Sequence, residues 1–321
     1  MKKRSVLKLV LLALLVAAPA HAQNYPSKPQ KFIVPFPPGG LVDVTGRLVA
    51  QKLSEKWGQP IVVENRTGAS GMIGSDAVAK SPADGYTLLF TTGDFLTTPN
   101  AVPLPFDPNK DLLPISMVAR APLVLVGNAN SPITLIAELI AAAKSSPGTI
   151  GYSSSGNGTI NHLAGEWMSI EAGIKLLHVP YRGGVPAVTG VAAGDVPIGV
   201  LTPSAVASLV EAKKVRVLAL MTKDRAQFVP DWPTLGERGI ANIDAALWVG
   251  LFAPGGTPAA IVDKIDQELG LILKDEAVRK RLNDLGTEPS PISQQAFVQQ
   301  IRTDAARYHK VAEQAGIKIE H

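Results

Sequence analysis

Short β-branched and apolar runs alternate along the chain with longer segments whose apolar positions recur every three or four residues. The runs at 31–36, 60–65, 86–92, 115–120, 123–128, 150–155, 176–181, 196–202 and 215–221 read as strands. Between them lie stretches of helical length. In 43–57, Val44, Leu48, Val49, Leu53 and Trp57 fall on one helical face and Gly58 follows as a stop. A helix over 133–145 ends at Pro147-Gly148, and another is expected over about 160–172. From 258 onward the pattern is purely helical, over 258–273, 275–285 and 293–315. Strand–helix alternation predicts an α/β fold, with sheets that are largely parallel and covered by helices.

Two places suggest a division into two domains. Residues 115–128 read as two strands in tandem with only Ala121-Pro122 between them, as in a crossover from one sheet to another. The run at 246–253 is again extended and leads into Pro254-Gly255-Gly256-Thr257-Pro258. Helices alone do not make a third domain here, so they are expected to pack back on the first sheet. The predicted organisation is 23–122 with 245–321 as one domain and 123–244 as the other. Each has a mixed sheet, and a ligand cleft lies between them.

The leader changes how the charge is read. Lys2, Lys3 and Arg4 precede an apolar stretch over 6–18, and Ala20-His21-Ala22 is a small-x-small cleavage signal. The stretch is too short to span a bilayer comfortably. Residues 1–22 are therefore expected to be a signal peptide cleaved after Ala22, with the remainder exported to a bacterial periplasm. The net charge of +4 belongs to this segment, which holds Lys2, Lys3, Arg4 and Lys8 and no acid. Beyond it, 27 basic residues face 27 acidic ones, with no basic stripe, so a nucleic-acid partner is not expected. The chain has no cysteine, which excludes disulfides, thiolate metal sites and cysteine nucleophiles. Its 29 glycines and 26 prolines punctuate apolar runs, as in a globular chain.

The strongest local feature is Pro35-Phe36-Pro37-Pro38-Gly39-Gly40-Leu41-Val42-Asp43, a glycine-rich turn between a strand and a helix. A helix start presents unpaired N–H groups and a partial positive charge, so such a turn can hold an anion. Asp43 reads as an N-cap or first-turn residue, or as a group pointing into the cleft. A second unit of the same kind is Ser155-Gly156-Asn157-Gly158-Thr159, where the hydroxyls of Ser155 and Thr159 add donors. One such turn per domain makes a carboxylate clamp that needs no Arg or Lys. Further turns could line the same cleft: 68–75, Thr91-Thr92-Gly93 and Tyr181-Arg182-Gly183-Gly184.

Other chemistries find little support. Neither G-x-x-x-x-G-K-[ST] nor a full G-x-G-x-x-G is present. Ser154 or Ser155 with His162 could suggest a nucleophile and base, but no G-x-S-x-G elbow exists, and His162 reads better as orienting the turn. The histidines show no metal-ligand spacing, so no catalytic residue, metal or cofactor is expected.

The chain resembles the substrate-binding proteins of tripartite tricarboxylate transporters, the Bug or TctC family. The resemblance covers essentially all of 23–321. It rests on Tyr25-Pro26-Ser27-Lys28-Pro29, the first turn with Asp43 and Arg47, Gly58-Gln59-Pro60 through Asn65-Arg66, 68–74 and Ala83-Asp84-Gly85-Tyr86-Thr87. It continues through 155–166 with His162-Leu163-Ala164-Gly165-Glu166, His178-Val179-Pro180-Tyr181-Arg182-Gly183, Val229-Pro230-Asp231-Trp232-Pro233 and Trp248 to Pro258. It implies a two-domain, flytrap-type (type II-like) periplasmic binding fold for small organic acids, with the carboxylate held by the two turns, partly through water. On that basis the ligand-binding residues are Phe36, Pro38, Gly39, Gly40, Leu41, Val42 and Asp43, with Thr91 and Gly93, from the first domain. The second domain supplies Ser155, Gly156, Asn157, Gly158, Thr159, His162, Tyr181, Arg182, Gly183 and Thr202. Two departures bear on the ligand. Leu41 stands where relatives often carry a small or hydroxyl residue. Gly199-Val200-Leu201-Thr202-Pro203 lacks the acid that could pair with an ammonium. The expected ligand is therefore a carboxylate without an amine. The expected partner is a set of membrane transporter subunits or, sharing the same pocket, a membrane sensor. A monomer is the default expectation.

Overall fold

A computed structural model of the chain describes residues 25–97 and 104–317. The predicted leader lies outside the described residues. Two sheets form. The first holds β1 (Gln30–Val34), β2 (Ile61–Asn65), β3 (Thr87–Thr92), β4 (Leu112–Pro122), β10 (Ala246–Pro254) and β11 (Glu288–Pro289), in the order β11-β4-β10-β3-β1-β2. The second holds β5 (Val124–Asn128), β6 (Gly151–Ser154), β7 (Leu177–Pro180), β8 (Ile198–Leu201) and β9 (Val215–Leu220), in the order β7-β6-β8-β5-β9.

Both sheets are mixed. β1 runs parallel to β2 and β3, and β6 runs parallel to β7 and β8. β10 is antiparallel to β3 and β4, and β5 is antiparallel to β8 and β9. Phe32, Ile33 and Val34 are all buried, as an inner parallel strand covered on both faces requires. The parallel character expected from strand–helix alternation therefore holds only for the strands that are joined by helices.

The helices are α1 (Leu41–Trp57), α2 (Met72–Ala79), α3 (Asp94–Thr97), α4 (Ile136–Ser145), α5 (Ile160–Ala172), α6 (Gly184–Ala193), α7 (Pro203–Glu211), α8 (Ala259–Ile272), α9 (Glu276–Asp284) and α10 (Gln294–Gln314). α1 begins at Leu41, two residues before the predicted start, because Gly40 is extended and caps it. Gly58 ends it in the left-handed conformation, donating to Ser54 O at 2.9 Å.

The crossovers differ in detail from the sequence reading. β4 runs through Ala121-Pro122, and the break falls at Leu123, from which the chain enters the other sheet. Ala246 pairs with Pro122, so the two crossovers lie side by side. Leu123 N–H donates to Ala245 O, Ala245 N–H to Met221 O and Met221 N–H to Leu123 O, at 3.1, 2.8 and 2.8 Å. The three backbones are thus pinned in one small ring. The C-terminal part is not purely helical either. Glu288 and Pro289 pair with Arg120 and Ala119 at the edge of the first sheet, a pairing too short to leave an alternation in the sequence. Nor do all the last helices pack on the first sheet alone. α10 places Phe297 and Ile301 in a core cluster of the first sheet and Tyr308, Val311 and Ala312 in the main cluster of the second.

Candidate functional site

Each glycine-rich turn follows an inner parallel strand, at the carboxyl end where α/β sheets present ligand crevices. The first turn follows β1, with Thr91 and Gly93 beside it at the end of β3. The second follows β6, with Tyr181-Arg182-Gly183 after β7 and Thr202 after β8, its two neighbours. Tyr181 and Gly183 N–H donate to Ser154 O and Ser155 O, both at 3.1 Å, which joins these loops. Asn161 Nδ2 donates to Val200 O at 3.0 Å and ties the start of α5 to β8.

The first turn is organised from behind by Asp43. Its carboxylate accepts from Gly39 N–H at 2.9 Å, from Arg47 Nε at 3.0 Å and from Asn65 Nδ2 at 2.8 Å. Asn65 also donates to Phe36 O at 3.0 Å. Burial works against the charge on Asp43, yet the bonds from Arg47, Gly39 and Asn65 hold its carboxyl below the usual range. Of the two alternatives for Asp43, this geometry is that of a first-turn group rather than one pointing into the cleft. Gly39 takes φ +80°, which an L side chain adopts only under strain. Pro38 and Gly39 are exposed, Phe36, Gly40 and Leu41 half-buried, and Val42 buried.

The second turn has its own support. Thr159 caps α5, accepting from His162 N–H and donating to Gly156 O at 2.8 Å. Ser155 Oγ donates to Asn161 Oδ1 at 2.9 Å. His162 Nδ1 accepts from Gly158 N–H at 3.1 Å. Its ring stacks on His178, centroids 3.6 Å apart. Ser154 Oγ lies 2.6 Å from His178 Nε2, so Ser154 pairs with His178 rather than with His162. Ser154 is fully buried, out of reach of a substrate.

The two sets of turns meet. Asp94, just beyond Gly93, accepts from Ile160 N–H at 2.9 Å and from Thr92 Oγ1 at 2.7 Å. Burial raises the carboxyl of Asp94 above its ordinary value, although Ile160 and Thr92 both donate to it. A Cβ on Gly93 would stand 2.9 Å from Trp248 Cζ2 and 3.1 Å from Ile160 Cδ1, so only glycine allows this approach. Leu41 packs against core clusters of both sheets. Arg182 and Asn157 are exposed, and Thr202 Oγ1 lies 3.0 Å from Ser204 Oγ. Asn65, Asp94, Asn161 and His178 escaped the sequence reading as site residues. The stretches carrying Asn65 and His178 belong to the family resemblance, but only their long-range partners reveal the roles. A separate cavity of about 350 Å³, lined in part by Arg120, Asp244, Trp248, Asp304 and Arg307, lies beside the crossovers and contains none of the predicted site residues.

The histidine pair gives a pH signature. Burial lowers His162 to about 4, and burial together with His162 lowers His178 to about 3. In the unfolded chain both take up protons near 6.5. Their contribution to stability is therefore intact above about pH 6.5 and is lost as the pH falls toward 4. The upward-shifted carboxyls of Glu166 and Asp94 act in the opposite sense, so the effect is read as a difference between proteins. Urea unfolding at pH 7.0, 5.5 and 4.5 is expected to show a loss of stability with acid that flattens in a His162→Asn, His178→Gln double variant. Equal slopes would remove the histidines as its source.

Comparison with known proteins settles the kinship of this architecture. The profile described as the tripartite tricarboxylate transporter family receptor matches residues 45–317. The chain belongs to this family. BugT of Bordetella pertussis is 36% identical over 313 residues, covering 95% of this chain and 94% of its own. The structure of Rpa4515 of R. palustris with adipate has a TM-score of 0.88 at 34% identity, covering 92% of this chain and all of that one. MatC of Rhodopseudomonas palustris with bound malate has a TM-score of 0.82 at 26% identity, covering 90% of this chain and all of that one. The chain is thus a solute-binding protein of the TctC/Bug family, with the α/β architecture of periplasmic binding proteins, and not an enzyme. Receptors of this family are periplasmic. Among the described residues no helix is long and apolar enough to cross a membrane.

Proposed function

We propose that this receptor captures a small organic carboxylate without an amine between two lobes and delivers it to a tripartite tricarboxylate-type membrane transporter. The lobes are 23–122 with 245–321, and 123–244, and α10 packs on both. The observation carrying this reading is the contact between the two sets of turns, made by Asp94 with Ile160 and by Leu41 against core clusters of both sheets. Gly39, Gly156, Gly158 and Ile160 spend their N–H groups on Asp43, Ser154, His162 and Asp94, and it is the other backbone N–H groups of these turns that would receive an anion without a basic side chain. The ligand-contacting residues are those of the two turns, with Thr91, Gly93, Tyr181, Arg182, Gly183 and Thr202 around them. Asp43 and His162 act from behind the turns. Thr202 stands at the end of β8 where an acid could meet an ammonium, and the carboxylate of Asp94 already serves Ile160 and Thr92. The adipate and malate of the two solved relatives are dicarboxylates without an ammonium. Family membership and the leader pattern support a periplasmic location and the transporter as partner.

Thermal unfolding of 23–321 against mono-, di- and tricarboxylates, amino acids, sugars and amines tests this. A ligand at 100 times its Kd adds about 2.7 kcal/mol, a rise of several degrees at this chain length. Shifts confined to amine-free carboxylates are expected. A shift with sugars or amines alone would sink the clamp, and amino acids binding more tightly than their deaminated analogues would sink the amine-free assignment.

A further inference from the structure

A buried polar cluster under the second turn is larger than a helix cap requires. It joins β6, β7 and α5 through Tyr152, Ser154, His162, Glu166 and His178. The imidazoles of His162 and His178 lie nearly parallel, 9° apart in plane, with centroids at 3.6 Å. Tyr152 Oη donates to Glu166 Oε1 at 2.6 Å and also lies 3.0 Å from His162 O. Gly156 N–H donates to Ser154 Oγ at 3.2 Å, and that hydroxyl is the one in contact with His178. Gly158 N–H donates to His162 Nδ1 at 3.1 Å. Both glycines of the turn are therefore held from below, Gly158 by one imidazole directly and Gly156 by the other through Ser154.

This geometry fixes the state of His162. An amide N–H requires a lone pair on Nδ1, so the ring proton resides on Nε2. Nε2 stands 4.0 Å from Glu166 Oε1. A proton on Nδ1 would set donor against donor at Gly158. A second cation at stacking distance is likewise disfavoured, and burial lowers the basicity of both rings. His162 is thus an acceptor serving the backbone and not a positive charge offered to an anion.

Resting on the carboxylate reading above, we infer that His162, stacked on His178, is a positioning residue for the second turn. As the neutral Nε2–H tautomer it takes the Gly158 amide inward and so fixes the path of the other amides around the anion. The affinity for a carboxylate then depends on the lone pair of His162 and not on its charge. An asparagine, whose Oδ1 can stand in for Nδ1, should replace it. An alanine should not.

The test uses 23–321 at pH 7 with succinate, adipate and malate as probes. Nitrogen-15 spectra of the imidazoles are expected to show unprotonated Nδ1 and protonated Nε2 for His162. The Gly158 amide should exchange slowly in the wild type and in His162→Asn, and fast in His162→Ala. For any probe the wild type binds, His162→Ala is expected to weaken binding about tenfold, the scale of one buried N–H left without its acceptor, while His162→Asn stays within about threefold. A protonated Nδ1, or an asparagine variant that loses as much binding and amide protection as alanine, overturns the inference. If the wild type binds no carboxylate, the ligand reading fails. Gly158 exchange and the tautomer still decide whether His162 holds the turn, in the wild type and the asparagine variant even where alanine does not fold.

Discussion

Replacing Asp43 by alanine is expected to destabilise the protein by about 2–3 kcal/mol and to weaken carboxylate binding roughly 30-fold or more. The side chain is 3% exposed and answers three donors at once, from Gly39, Arg47 and Asn65. Without it, the Gly39 amide and the half-buried Asn65 carboxamide lose the acceptor that fixes them at the start of the helix. Asn65 also holds Phe36 O, so the disturbance reaches the strand end before the turn. Asp43→Asn keeps one acceptor oxygen but sets an NH2 against the remaining donors, and should fall between alanine and wild type. Denaturant unfolding gives the first quantity and calorimetric titration with the best ligand of the panel gives the second. An alanine variant that lost stability but kept full affinity would separate the turn from the ligand and remove it from the binding surface.

The second large effect concerns the joint between the two sets of turns. Asp94→Ala should leave the Ile160 N–H and the Thr92 hydroxyl without their acceptor, at about 1–3 kcal/mol against the arrangement in which the lobes touch. The anion at the start of α5 also suits the positive end of the helix. The expected result is an unliganded protein with a larger radius of gyration in solution scattering, and an affinity lowered about tenfold because ligand must now draw the lobes together unaided. Asp94→Asn retains an acceptor for Ile160, and the Thr92 hydroxyl can turn to accept from the new NH2, so this variant should remain close to wild type. Scattering curves that coincide for alanine and wild type would show that Asp94 does not hold the lobes together.

Much of this fold was legible because it is written in local pattern. The apolar run in 86–92 and the three- and four-residue spacing from Val44 to Trp57 predict elements within two residues of those observed. The strand–turn–helix units at Gly39-Gly40 and at Gly156-Asn157-Gly158 were visible for the same reason: glycine punctuation and helix starts are short-range features. The pairing of Glu288-Pro289 was not visible, because two residues carry no period. The same holds for Asp94. Its partner Ile160 is 66 residues away, and nothing around either position predicts that they touch. His178 is a similar case, since its bond to Ser154 spans 24 residues and its stack on His162 requires β7 to lie beside β6. The apolar spacing predicts α1 from Asp43, which reads as an N-cap or first-turn residue. The extended Gly40 took that place, which freed Asp43 to serve the turn from the third helical position.

The last helix has a consequence for how such a chain is made. Its final turns carry Tyr308, Val311 and Ala312 into the same buried cluster as Tyr152, Leu163 and Ile198. Residues 123–244 emerge from the ribosome well before those side chains exist. This buried cluster therefore cannot be completed until almost the whole polypeptide has been synthesised.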